Sequence, residues 1–316
     1  MKTLNNACAL AIVACWIMAL GMPHVVFAAD DAKPEAGLSG KLRVYFGTYN
    51  RGDGKGIYTS ELDLASGQLS DAQLAGEAVN PSFLAIHPSR KFLYAVGEID
   101  NFDGKKTGGV SAFTIDRKTG KLRLINQHSS QGAGPCHLVV DATGKNVLVA
   151  NYGGGSIACL PIDPDGKLRE ASTFIQHQGS SIDPKRQAGP HAHSINVDAK
   201  NRFAMAADLG LDRVLVYRFD ADKGSLVPNN PPAVVMPAGG GPRHFAFHPN
   251  GRFAYANNEM ASSVTALSYD PETGVLAELN TVPTLPADAS AEGNSTAEVR
   301  VHPNGMFVYV SNRGHN

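Results

Sequence analysis

GPRHFAFHPNGRFAYANNE, residues 241–259, holds the pattern that decides the fold. It reads as a polar lead-in, a short apolar strand, a tight turn at residues 248–251, a second apolar strand and a polar exit. Variants of it recur as PSFLAIHPSRKFLYAVGE from Pro81, GPCHLVVDATGKNVLVANY from Gly134, GPHAHSINVDAKNRFAMAADL from Gly189 and STAEVRVHPNGMFVYVSNR from Ser295. Aligned on the turn, the copies sit at His87, Asp141, Asp198, His248 and His302, at spacings of 54, 57, 50 and 54 residues. A repeat of about 50 residues built from short strands marks a propeller or a similar array, whose units bury their apolar faces against one another.

Working outward, each unit adds a third strand, at residues 56–62, 109–115, 156–162, 213–219 and 263–269. A second repeating turn follows, carried by Asp63 and Gly67, Asp116 and Gly120, Asp163 and Gly166, Asp220 and Gly224, and Asp270 and Gly274. Aspartate hydrogen-bonds the turn backbone and glycine accepts positive φ, so these are hairpins leading to a fourth strand. Four antiparallel strands per unit make a propeller blade, and the expected fold is all-β. The first legible strand, residues 42–48, matches strand two of the repeat, and the last unit offers only two strands. No strand one is legible to complete the first blade, so the count predicts a propeller truncated at its C-terminus.

The 316 residues are 43% hydrophobic and 18% charged with a formal net charge of −1, which supports a large core and no nucleic-acid surface. The expected organisation is a signal peptide at residues 1–28, a flexible leader at 29–40 and the propeller at 41–316. Lys2 precedes an apolar run from Ala7 to Met22, and Val26 and Ala28 stand at −3 and −1 of a cleavage site. This predicts a periplasmic or secreted protein with no membrane association after cleavage. A lipidated Cys15 fits less well, because the apolar run continues through Trp16, Ile17 and Met18. Of the four cysteines, Cys136 and Cys159 remain in the mature chain and read as two small buried thiols rather than a disulfide framework. His87, His248 and His302 read as turn-capping groups.

In a four-stranded meander the hairpins joining strands one to two and three to four share one rim. The other rim collects the start of strand one, the exit of strand two and the long loops at residues 98–108 and 176–189. Function concentrates in such loops on a rigid scaffold. The strand-one columns there are Ser82, Cys136, His193, Arg243 and Ala297, then Phe83, His137, Ser194, His244 and Glu298. The strand-two exits give Thr48, Gly97, Asn151, Asp208, Asn258 and Asn312, then Tyr49, Glu98, Tyr152, Leu209, Glu259 and Arg313. Variation among polar and titratable types, confined to one rim, points to a site at the channel mouth.

The motifs YFGTYN, GPCHLVVDATG, GPHAHS, GPRHFAFHPNGRFAY, STAEVRVHPNG and VSNRGHN, spread over residues 43–316, resemble the lactonase family of seven-bladed β-propellers. That family includes 6-phosphogluconolactonases and carboxymuconate lactonising cycloisomerases. The resemblance implies a catalytic set of a histidine, two arginines and a glutamate, matching His193, Arg243, Glu259 and Arg313. His137, His191, His244, Asn258 and Glu298 are the candidate substrate-binding residues. Opening a lactone needs a water deprotonated, an oxyanion stabilised and an alkoxide protonated. Glu259 or His193 is the candidate base, and Arg243 the holder of the carbonyl oxygen or a substrate anion. No metal-ligand spacing is legible, and no cofactor is expected. The expected function is hydrolysis of a sugar lactone by a monomer, with 6-phosphogluconolactone implied by the resemblance and a free aldonolactone suggested by export. A lactonising cycloisomerase and an exported propeller binding protein or glycan are the alternatives.

Overall fold

A computed structural model describes residues 25–27 and 40–315. It contains five four-stranded antiparallel sheets and one two-stranded sheet, each strand pairing with its sequence neighbour. We number these as blades in chain order. Blade one comprises Val25–Phe27, Lys41–Phe46, Gly56–Asp63 and Gln73–Glu77, and blade two Leu84–Ile86, Phe92–Gly97, Gly109–Ile115 and Leu122–Ser129. Blade three is Pro135–Val140, Asn146–Asn151, Ser156–Pro161 and Thr173–Gln176, and blade four Ala192–Val197, Phe203–Asp208, Arg213–Asp220 and Ser225–Val235. Blade five is Pro242–Phe247, Phe253–Asn258, Ser263–Tyr269 and Leu276–Pro283, and blade six Ser295–Val301 and Val308–Arg313. The repeat and both families of turns fall where the sequence puts them.

One strand differs from expectation. Val25–Phe27, assigned from sequence to the end of the signal peptide, pairs antiparallel with Lys41–Phe46 in register Val26 opposite Tyr45. It fills the strand-one place of blade one, which the repeat alone left empty. The physical reason is the unpaired edge of Lys41–Phe46, which a short β-branched and aromatic segment can satisfy. The remainder of the proposed signal peptide and most of the leader lie outside the described residues.

Burial follows position in the blade. The second and third strands of blade three, Asn146–Asn151 and Ser156–Pro161, are buried at every residue, because neighbouring blades cover both faces. The fourth strand, Thr173–Gln176, alternates half-buried and exposed residues, as an edge facing water should. The core is accordingly a series of layers between blades. Tyr45, Leu93 and Phe113 pack between blades one and two, Tyr94, Leu138 and Leu160 between two and three, and Leu148, Ile195 and Tyr217 between three and four. Met205, Phe245 and Tyr269 fill the layer between four and five.

Polar struts cross the same boundaries. The Tyr45 hydroxyl donates to the Gly120 carbonyl, and the Tyr94 hydroxyl to the Gly166 carbonyl, each at 3.0 Å. Both acceptors are turn glycines with positive φ, at 75° and 86°, the conformation that hairpin requires. The turn histidines do more than cap. His248 Nδ1 accepts from Asn250 N at 3.1 Å, which leaves Nε2–H to donate to Gly305 O of blade six at 2.9 Å. His87 likewise reaches Gly144 O of blade three at 2.9 Å.

Tyr94→Phe keeps the packing and removes one buried strut, and we expect a loss of about 1 kcal/mol in chemical denaturation. An unchanged denaturation midpoint would show that the strut contributes nothing net.

Candidate active site

The start of strand one is irregular in blades three to six. In blade four the ladder runs Ala192 to Asp208 and Ser194 to Ala207, so His193 is an extra, bulged residue. Cys136 is bulged in the same way in blade three. In blade five Arg243 and His244 together oppose Asn257, and in blade six Ala297 and Glu298 oppose Ser311. A bulge re-aims a side chain and leaves a backbone N–H unpaired. Strand two supplies the missing acceptors, Asn257 Oδ1 for His244 N at 3.0 Å and Ser311 Oγ for Glu298 N at 3.1 Å.

The bulged His193 and Arg243 and the strand-two exit residue Arg313 meet around Glu259, which is 6% exposed, so the four residues implied by the resemblance come together. Its Oε2 accepts from Arg243 Nε at 2.9 Å and lies 2.9 Å from an Arg313 terminal nitrogen. His193 Nε2 stands 3.8 Å from the same oxygen. The other oxygen, Oε1, accepts from Arg186 at 2.7 Å. Burial alone would raise the pKa of this carboxyl, but His193 and the guanidiniums of Arg243, Arg313 and Arg186 outweigh it and hold the group at about 2. Burial and the positive charge of Arg243 push His193 in the opposite direction from a charged partner, well below its usual 6.5. His193 is therefore neutral at pH 7, and the guanidiniums alone neutralise Glu259 there.

Arg186 lies in the long loop at residues 176–189 and is not among the residues that the repeat or the resemblance singles out. Asp183 caps a turn through Lys185 N at 2.8 Å and Arg186 N at 2.9 Å, and Arg186 also donates to the Tyr152 hydroxyl at 3.1 Å. The loop is fixed by the buried Asp212, which accepts from Ser181 Oγ at 2.6 Å and Gln187 Nε2 at 2.7 Å. Asp212 also accepts from Gly239 N at 2.7 Å and Gly241 N at 2.8 Å, tying the same loop to the segment that leads into Arg243. The signal available in the sequence was the DPKRQ run at residues 183–187, with a capping aspartate and two cations.

The candidate substrate-binding residues divide. His244 is held between Arg243, 3.2 Å from Nε2, and Glu298 Oε1, 2.9 Å from Nδ1. An arginine only donates, so Nε2 is the acceptor and the Nδ1 proton goes to Glu298. Glu298 thus orients His244, and Val299 N at 3.0 Å shares the same oxygen. His137 is buried beside His244, with ring centroids 5.2 Å apart, and its Nδ1 accepts from Ile195 N at 3.3 Å. His191 stacks on Tyr152 at 4.6 Å, and its Nδ1 donates to the Tyr152 carbonyl at 2.9 Å, which makes it a loop anchor at the mouth. Asn258 turns into its own blade, where its amide donates to Ser263 Oγ at 2.9 Å and Thr265 Oγ1 at 3.0 Å. It is buried scaffold, because the regular strand ends at Asn258 and points alternate residues inward. Cys136 and Cys159 are free thiols, and burial pushes Cys159 up to about 12. The Cys136 Sγ lies 3.6 Å from His193 Nδ1, which it helps to orient.

Fold and site together define a β-propeller in which the starts of strand one and the exits of strand two carry a neutral imidazole beside an arginine-clamped carboxylate. The profile of the family described as lactonase, 7-bladed beta-propeller, matches residues 43–316, and the chain belongs to that family. It is 35% identical to a 6-phosphogluconolactonase of Bacillus subtilis, over 86% of this chain and 74% of the relative. It is 32% identical to a 6-phosphogluconolactonase of Formosa agariphila, over 83% and 73% of the two chains. Among solved structures it resembles the periplasmic gluconolactonase of Pseudomonas aeruginosa, with TM-score 0.80, 30% identity and coverage of 87% and 76%.

The depressed pKa of Glu259 has a signed consequence. It contributes stability above its usual 4.5, lost as pH falls toward about 2, because the unfolded chain takes up the proton first. In Glu259→Gln that contribution is absent. Thermal melts between pH 4.5 and pH 2 should therefore fall more steeply for wild type than for the variant, and parallel curves would contradict the assignment.

Proposed function

We propose that this protein hydrolyses a sugar lactone at the channel mouth. The observation that carries the reading is the set of three guanidiniums around one carboxylate, a surplus of positive charge beside the uncharged His193. A lactone is opened through a tetrahedral oxyanion and ends as a carboxylate, so negative charge appears where this surplus sits. The names of its relatives, 6-phosphogluconolactonase and gluconolactonase, support the same reading.

His193 Nε2 takes a proton from water as the water oxygen bonds to the lactone carbonyl carbon. Arg243 receives the oxyanion. Its Nε is spent on Glu259 and its NH1 on His244 and the Ala297 carbonyl, while its NH2 has no partner among the described residues. The bond from the carbonyl carbon to the ring oxygen then breaks, and the imidazolium returns its proton to that oxygen, leaving a hydroxy acid that ionises. Glu259 is a weak base in this setting, since its lone pairs face guanidiniums. Its part is to fix Arg243, Arg313 and Arg186 in place.

Arg243→Ala should lower kcat on δ-gluconolactone by roughly two to three orders of magnitude. His193→Asn, which keeps a polar group and removes the base, should lower it by about 100- to 10,000-fold. Wild-type turnover in both folded variants would remove the site.

Export belongs to the same proposal. The Ala7–Met22 run and the Val26/Ala28 pair fit a cleaved leader, and among the described residues no helix is long and apolar enough to cross a membrane. Cleavage after Ala28 would also vacate the strand-one place of blade one. Intact mass of the exported protein should show an N-terminus at Ala29, and a mass that retains Met1 would refute cleavage.

A further inference from the structure

The start of strand one and the exit of strand two meet in each blade, so the Arg243–Glu259 pair of blade five has counterparts elsewhere. In blade two they are Ser82 and Glu98. Here the carboxylate meets hydroxyls in place of guanidiniums. Glu98 Oε2 accepts from Ser82 Oγ, and from the Tyr49 hydroxyl at 2.7 Å, with Tyr49 arriving from the strand-two exit of blade one. Ser82 is buried, while Tyr49 is 44% exposed. Arg51 lies over the Tyr49 ring at 5.4 Å, which steadies an otherwise open aromatic side chain. Among the described residues no lysine or arginine pairs with Glu98, and its Oε1 takes no hydrogen bond.

The second cluster stands near the first: the ring of Phe83, the residue after Ser82, lies 5.9 Å from that of His244, the residue after Arg243. Blade three stands between blade two and blade four, and its Cys136 touches His193. One side of the mouth therefore carries surplus positive charge, and another carries a carboxylate with unspent acceptor capacity, two hydroxyls and an aromatic ring.

Those are the groups that recognise a polyol. A carboxylate oxygen accepts hydroxyl protons strongly, a phenol both gives and takes one, and an aromatic face covers the C–H side of a sugar. We propose that Ser82, Glu98 and Tyr49 form a subsite that binds the hydroxyl groups of the sugar lactone while its carbonyl lies against Arg243. The proposal rests on the hydrolytic reading for the identity of the ligand, and it assigns the polyol end of that ligand to blade two. Glu98 accepts hydroxyl protons and offers an anion nothing, so the group it takes is a neutral diol.

The test compares wild type with Glu98→Gln and Tyr49→Phe, each checked for folding by circular dichroism. For δ-gluconolactone, Glu98→Gln should raise KM about tenfold, the scale of one lost charge-assisted hydrogen bond, and Tyr49→Phe should raise it less. For δ-valerolactone, which has no hydroxyls, KM (or Ki as a competitor) should shift by less than about twofold, within the scatter of a surface change. Equal shifts on both lactones, or none on either, would overturn the subsite. Gluconate binding by calorimetry separates this from the hydrolytic reading. If wild type opens neither lactone, that reading fails by itself. Gluconate binding about tenfold weaker in Glu98→Gln would still uphold the subsite. Equal affinity in the two proteins, or none in wild type, would overturn it.

Discussion

A carboxylate buried with three guanidiniums around it is the constraint that shapes this site. Removing Glu259 from water is costly, and only close, well-directed positive charge offsets that cost. Arg243 and Arg313 approach one oxygen at 2.9 Å each, and Arg186 approaches the other at 2.7 Å. The four groups come from four places in the chain: the loop before blade four, strand one of blade five, and the strand-two exits of blades five and six. The cluster forms only if those blades stand in fixed relation. Once formed, it locks the arginines against one another and leaves positive charge in excess. Burial, together with the charge of Arg243, keeps the neighbouring His193 uncharged, so an uncharged imidazole and an excess of positive charge stand side by side.

The blades hold that relation by two means. Apolar layers between successive sheets supply most of the burial, and hydrogen bonds from tyrosines and turn histidines of one blade reach the turn carbonyls of the next. Both devices lie away from the mouth, along the sheets and at the opposite rim. That leaves the starts of strand one free to depart from ladder geometry. They do so by bulges at Cys136, His193, Arg243 and Ala297, with Asn257 and Ser311 taking up N–H groups that the bulges release.

Much of this was legible from periodicity. The fold, the blade unit, the two turn families and the rim that carries polar variation follow from apolar alternation and from Asp, Gly and His at fixed offsets. The family resemblance, with its histidine, arginines and glutamate, matched residues that do converge. Four features were not legible, for separate physical reasons. Asn258 and Glu259 are adjacent, and only the end of the regular strand decides that one turns inward and the other into the mouth. Glu298 looked like a ligand for substrate, but its partner His244 lies on another blade, and no sequence spacing announces a contact between blades. Arg186 sits in a loop whose course depends on Asp212, a buried carboxylate 26 positions along the chain. The Val25–Phe27 strand was missed because a segment read as a leader carries the same apolar residues as an edge-filling strand.

The division of labour at the mouth, with His193 as base and Glu259 as the holder of arginines, is the central claim. Its most direct test is the pH dependence of kcat/KM on δ-gluconolactone, with spontaneous hydrolysis subtracted. His193 has its pKa well below 6.5 and Glu259 about 2. The account predicts a rate that stays level as pH falls through 6.5 and drops only at lower pH, as the buried His193 takes up its proton. An inflection at 6.5 would show an ordinary, solvated histidine, and a rate that persists until about pH 2 would return the base to Glu259; either result contradicts the account.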